Sequence, residues 1–242
     1  CDIWYLLFFN SIYMKERPIL FSGPMVKAIL EGRKTQTRRI CKDQNLHILH
    51  GMPWKEKVLE GIVDGKVKRI ELAPNGQPFV EMIDCPYGKP GDMLWVRETF
   101  ALSGDMDQAG YDLNHLYRAE AIKDDSGEIG GWWINEKHYE VDRWRPSIHM
   151  PRLASRITLE IVSVRVERLK DISEEDAIAE GIESFRPVPG DGDPVTRYRN
   201  YTEPAQWKWS PIESYKTLWN SINGPESWDK NPWVWVIEFK LL

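Results

Sequence analysis

An α+β protein made mainly of antiparallel strands, curling into a barrel with short helices added, is the fold this sequence predicts. Three observations carry the prediction. Alternating strand-like segments stand at both ends of the chain, the helical segments between them are few and short, and no repeat of fixed period appears. With 242 residues, 42% of them hydrophobic, the chain can bury one substantial core, and residues 14–242 read as a single domain.

The elements follow in order. Pro18 to Phe21 is a short apolar strand, after which Ser22 supplies an N-cap and Pro24 sits in the first helical turn. Met25, Val26, Ile29 and Leu30 recur at helical spacing, and Gly32 stands where a left-handed C-terminal residue is wanted. The segment GRKTQTRRI then rises into a strand with Lys34 at its mouth. KRIEL and QPFVEMI flank a Pro74-Asn75-Gly76 turn and predict a hairpin inside an insertion near residues 42–84. In KPGDMLWVRETF a Pro-Gly turn precedes a strand whose period of two puts Met93, Trp95 and Arg97 on one face and Leu94, Val96 and Glu98 on the other.

A second insertion, near residues 101–150, is rich in Trp, Tyr, Gly and Asp, with strand-like pieces at LYRAEAI and KHYEVD. Beyond it, ASRITLEIVSVRVERL predicts a long strand broken by a bulge near Val162 and Ser163. Ser173 with Asp176 three residues on forms a capping pattern for a short helix that ends at Glu180 and stops at Gly181. Ser210-Pro211-Ile212-Glu213 opens another capped helix through Leu218, Trp219 and Ile222. The closing PWVWVIEFKLL alternates Trp235, Ile237 and Phe239 against Val236, Glu238 and Lys240, as a last strand should.

Composition excludes several classes. A charged fraction of 29% and a net charge of −5 fit an ordinary globular chain rather than a disordered tail. The charge is uneven, since Lys15 to Lys42 carries eight basic and two acidic side chains while Glu167 to Asp191 carries eight acidic and three basic. Cys1, Cys41 and Cys85 form neither a disulfide framework nor a zinc-binding pattern, which fits a reducing cytoplasm. The apolar run CDIWYLLFFNSIY is shorter than the ~20 residues of a membrane-spanning helix and lacks the features of a signal peptide. Met14 followed by KERP reads like a natural start, so residues 1–13 are expected to be an upstream extension.

Gly32, Lys34, Thr37 and Arg39 in the string GRKTQTRR match the G-x-K-x-x-[ET]-x-R signature of the ASCH family, and further blocks follow in the family's order. GDMLWVRE resembles its second strand, LKDISEEDAIAEGI its short helix, and VWVIEFKLL its final strand. The resemblance implies a PUA-like β-barrel with short flanking helices, the two long insertions being similar to those of larger phage and prophage ASCH proteins. Small bacterial members include amidohydrolases that deacylate N4-acetylcytidine with a lysine, a threonine and a glutamate. Those roles fall here on Lys34, Thr37 and Glu180. Other members are reported or proposed to bind or cleave RNA, so the family also admits a non-catalytic RNA- or DNA-binding module, or a metal-independent ribonuclease.

The residues bear their own chemistry. Thr37 is a weak nucleophile and needs a base within hydrogen-bond reach; Lys34 fits that role if burial removes its charge, and orients a carbonyl if it stays charged. Glu180 either protonates a leaving amine or fixes Lys34 by an ion pair. Arg33, Arg38 and Arg39 offer forked donors for phosphate or a base carbonyl. Trp95, Arg97 and Glu98 are expected where the second strand meets the pocket, Trp95 as a stacking surface, with His149 near the same mouth. The 12 tryptophans are otherwise explained by core and strand packing. Carboxylates and histidines show no ligand spacing, so no metal or other cofactor is expected. The expected partner is a modified nucleoside or a nucleic acid, RNA ahead of DNA, and no membrane.

Overall fold

The computed structural model describes residues 14–42, 66–72, 78–102, 115–123, 131–141, 143–186 and 195–242. Expectations for residues 1–13 and for the Pro74–Gly76 turn lie outside these. The chain is α+β and mainly β. Its strands are β1 (Glu16–Leu20), β2 (Gln36–Ile40), β3 (Lys66–Leu72), β4 (Pro78–Asp84), β5 (Met93–Arg97), β6 (Phe100–Leu102), β7 (His115–Tyr117), β8 (Ile122–Lys123), β9 (Gly131–Ile134), β10 (Lys137–Glu140), β11 (Thr158–Arg168), β12 (Ser184–Phe185), β13 (Arg197–Arg199), β14 (Trp207–Lys208) and β15 (Trp233–Leu241). The helices are α1 (Gly23–Leu30), α2 (Glu174–Ala179) and α3 (Pro211–Asn223). Among the described residues no helix is long and apolar enough to cross a membrane.

The main sheet has the order β1-β5-β11-β15-β2, with β1 parallel to β5 and every other pair antiparallel. The expected barrel closure is not found among the described residues. β1 and β2 remain as the two edges, joined by α1 rather than by a ladder. Between them Arg39 of β2 donates to the carbonyl of Leu20 at the end of β1.

Long-range apolar packing fixes this sheet. Leu94 and Val96 of β5, Leu159 and Ile161 of β11, and Val234, Val236 and Ile237 of β15 join Val26 and Ile29 of α1 in one core. The alternation of β15 predicts one buried face, yet Trp233 to Ile237 are all buried, so both faces of the sheet are covered along this inner strand. The bulge in β11 falls between Ile161 and Ser163, and Val162 is turned out to solvent. The predicted hairpin is the β3–β4 pair, with Leu72 opposite Pro78. In the second insertion Ala101, Leu116, Ile134 and Val141 make a small core of their own.

Asp92, at the turn before β5, ties β1 in place. It accepts from the backbone N–H of Lys15 (3.1 Å) and of Lys89 (3.3 Å) and from Arg17 Nη1 (2.7 Å). Burial pushes this carboxyl upward, but Arg17 and the two N–H groups outweigh it and hold it below its ordinary value. A carboxylate depressed on folding stabilises above its unfolded pKa of ~3.9 and loses that contribution as the pH falls through the folded value. Asp92→Asn should therefore be less stable than wild type by about 1–3 kcal/mol at neutral pH, and the gap should shrink below pH ~4. Denaturant titrations of both proteins across that range check this.

Candidate functional site

A helix as short as α2 ends with carbonyl groups that its own backbone cannot satisfy. The segment after α1 supplies their partners, residue by residue. Arg33 Nη1 donates to the Gly181 carbonyl (2.9 Å), Lys34 Nζ to the Glu180 carbonyl (2.8 Å) and the Thr35 N–H to the Ala179 carbonyl (2.9 Å), while Gln36 Nε2 adds a second bond (2.9 Å) to the Asp176 carbonyl, which already accepts from the Glu180 N–H. Two of the four donors are cations, as the negative end of a helix favours. Lys34 and Glu180 also form an isolated antiparallel bridge. Ser173 caps the other end of α2 by accepting from the Asp176 N–H at 3.1 Å, as its spacing predicts.

Lys34 and Glu180 meet as a buried pair. Lys34 Nζ is 2.8 Å from Glu180 Oε2, and both side chains are almost wholly withdrawn from solvent. Glu180 Oε1 accepts from Arg38 Nη1 at 3.3 Å. Burial lowers the Lys34 pKa; Glu180 works against this, while Arg39 and Arg38 add to it. The direction is toward the neutral amine, because burial strips an ammonium of its hydration. Two hydrogens of Nζ are spent on Glu180. The remaining direction holds a lone pair if the amine is neutral and an N–H if it is charged.

These groups stand on a cavity of about 350 Å³, lined by Lys34, Thr37, Arg38, Arg39 and Glu180, by Phe21 before α1, and by Tyr215, Leu218 and Trp219 of α3. Its size is that of a small-molecule site. Thr37 is nearly buried, and no described residue bonds its hydroxyl. Arg39 lies over the Phe21 ring at 5.1 Å, and its Nε is buried without a partner among the described residues. Trp219 Nε1 is likewise a buried donor without one. Polar side chains set in a largely apolar wall fit a recognition site.

The arginines divide by what they touch. Arg38 is spent on carboxylates: besides Glu180 it reaches Glu167 through Nε (3.1 Å) and Asp176 through Nη2 (2.7 Å). Arg165 extends the lattice to Glu167, Asp176 and Glu238. Arg38 therefore does not serve as the forked phosphate donor that its sequence position invites, and it fixes Glu180 instead. Arg33 is held by Glu31 and the Gly181 carbonyl and does not line the cavity. Arg39 keeps a free donor.

Trp95, Arg97 and Glu98 do not line the cavity either. Trp95 lies beneath the Arg97 guanidinium at 4.7 Å and beside that of Arg152 at 6.0 Å. Glu98 is gripped by Arg156 through two hydrogen bonds of 2.9 and 3.2 Å, in a cluster completed by Glu120. Thr99, next in the chain, does line the cavity, and so does Ser147, whereas the exposed His149 does not. The sequence reading missed the wall built by Phe21, Tyr215 and Trp219, although Tyr215, Leu218, Trp219 and Ile222 already show a helical stripe. Among the described residues no group of three or more His, Cys, Asp or Glu is placed to hold a metal ion.

Comparison with protein-family models, with curated proteins and with solved structures finds no match.

Gly181 holds a left-handed conformation (φ +86°), and a Cβ there would lie 2.7 Å from Lys34 Cβ and 3.0 Å from Ala28 Cβ. Gly32 is also left-handed (φ +72°) but faces open space. Gly32→Ala should cost about 1–2 kcal/mol for the backbone alone, and Gly181→Ala should cost more, because Lys34 must move as well. Equilibrium unfolding of the two variants measures the difference. Equal losses would show that Gly181 and Lys34 do not press on one another.

Proposed function

We propose that this chain is an ASCH-type, PUA-like domain whose cavity takes a nucleobase and hydrolyses an amide on an N4-acylated cytosine. One observation carries the reading: Lys34, Thr37 and Glu180, the three residues on which the family's catalytic set falls, line one cavity although 146 residues separate Lys34 from Glu180. The aromatic wall of Phe21, Tyr215 and Trp219 suits a planar ring.

The chemistry divides accordingly. The Thr37 hydroxyl oxygen bonds to the acyl carbon while its proton passes to the neutral Lys34 amine. The C–N4 bond then breaks, and Lys34 returns that proton to the departing amino group. Water attacks the threonine ester by the same route and releases a carboxylic acid. Glu180, with one carboxylate oxygen accepting from Lys34 and the other from Arg38, aims Lys34 rather than reaching the leaving group. A second reading, in which the cavity binds a modified base without chemistry, draws on the same aromatic wall.

Purified protein should release acid from N4-acylated cytosines. Lys34→Met and Thr37→Ala should each lower kcat by ~10² to 10⁴, and the double variant should be hardly slower than the worse single one. A base acts when deprotonated, so kcat/KM should rise with pH and level off below the ordinary lysine value of ~10.4. A fall over that range would instead make the Lys34 ammonium an orienter of the carbonyl. Absence of turnover with every acyl group tried would leave the binding reading in its place.

A further inference from the structure

Attack on an amide carbonyl drives an electron pair onto the carbonyl oxygen, and a site that hydrolyses amides needs a donor for that charge. On the amide-hydrolysis reading of the cavity, on which this inference rests, Lys34 takes the Thr37 proton and keeps it for the leaving amine. Arg38 is spent on Glu167, Asp176 and Glu180. Arg39 is half-buried and donates to the carbonyl of the exposed Leu20, toward the mouth. Ser22 and Asn223 on the lining are exposed, and Thr99 and Ser147 are half-buried.

Tyr215, on the second turn of α3, lies deeper, with 3% of its surface exposed. Its ring packs against Trp219, with centroids 6.3 Å apart, and edge-on against Trp228 at 6.2 Å. The Arg38 guanidinium that holds Glu180 stands 6.0 Å from the Tyr215 centroid, so the ring adjoins the groups that aim Lys34. No described residue bonds the Tyr215 hydroxyl, nor is it among the buried polar atoms that lack a partner, so the little surface it keeps opens on the cavity its residue lines. The Thr37 hydroxyl is in the same position. Nucleophile and phenol thus share the buried end of one cavity.

We propose that Tyr215 is a further catalytic residue, donating its O–H to the acyl oxygen as negative charge develops there. The Thr37 oxygen bonds to the acyl carbon, the carbonyl pair moves onto oxygen against the Tyr215 O–H, and the pair returns as the C–N4 bond breaks. The phenol keeps its proton throughout. Burial, and then the Glu180 carboxylate, push its pKa well above the ordinary value, and Arg38 and Arg39 do not outweigh them. A phenol so held is a poor base and a poor acid, but a donor at every working pH.

Turnover of an N4-acylated cytidine and of its thioacyl counterpart is measured across pH for the wild type and for Tyr215→Phe. The variant should lower kcat by ~10² to 10³ with KM little changed, as loss of an interaction made only in the transition state does, and by the same factor at each pH. Sulfur accepts a hydrogen bond weakly, so the preference of the wild type for the oxygen substrate should shrink in the variant. Matching thermal melts show that the variant folds. Should it melt early, 3-fluorotyrosine in place of Tyr215 keeps the ring and the O–H and should hold kcat, and a loss there would overturn the proposal. A wild type without turnover would remove the hydrolysis reading and this role with it. With an active wild type, full kcat in Tyr215→Phe, a loss confined to KM, an unchanged oxygen-to-sulfur ratio or a loss that varies with pH would each overturn the role of Tyr215 alone.

Discussion

Withdrawing a lysine and a glutamate from water costs several kcal/mol for each ion, and their mutual attraction repays this only when geometry and further hydrogen bonds are good. The Lys34–Glu180 pair meets that demand through its surroundings. Glu180 sits at the C-terminal end of α2, so the ammonium that meets its carboxylate also meets its carbonyl. Arg38 takes the second carboxylate oxygen, and Glu167 and Asp176 hold Arg38 in turn. Removing any one of these leaves another group buried and short of a partner. The short helix, the β2 edge and the long β11 strand are therefore fastened together by charge as much as by apolar packing.

The same constraint reaches back into the sequence. α2 ends where a left-handed residue lets the chain turn away, and that residue must also lack a Cβ because Lys34 and Ala28 press against it. Glycine meets both conditions at Gly181. Its role as a helix stop is visible from the local pattern alone, whereas its contact with Lys34 is not, since it depends on a segment almost 150 residues distant. Caps, turns and the β11 bulge belong to the first kind of feature and are legible residue by residue.

Features set by tertiary contact are legible only in part. Period two assigns Trp95 and Arg97 to one face of β5 and Leu94 and Val96 to the other, as the core confirms for the latter pair. Periodicity does not say which element the other face meets, and there Trp95 finds Arg97 and Arg152 rather than the cavity. Arg38 and Arg39 are likewise indistinguishable in GRKTQTRR. The lattice of Glu167, Asp176 and Glu180 that absorbs Arg38 comes from β11 and α2, and only the assembled sheet reveals that Arg39 escapes it.

Arginine–aromatic contacts extend the pattern and sort the tryptophans by function. Arg118 stands 4.0 Å from the Trp132 centroid and 5.6 Å from that of Trp144, and Arg168 stands 4.1 Å from that of Trp233. Such contacts weld an insertion or a strand to its neighbour, and a partly or wholly buried ring has little π-face left for a ligand. Trp219 differs by lining the cavity, and Trp207 and Trp209 differ by their exposure.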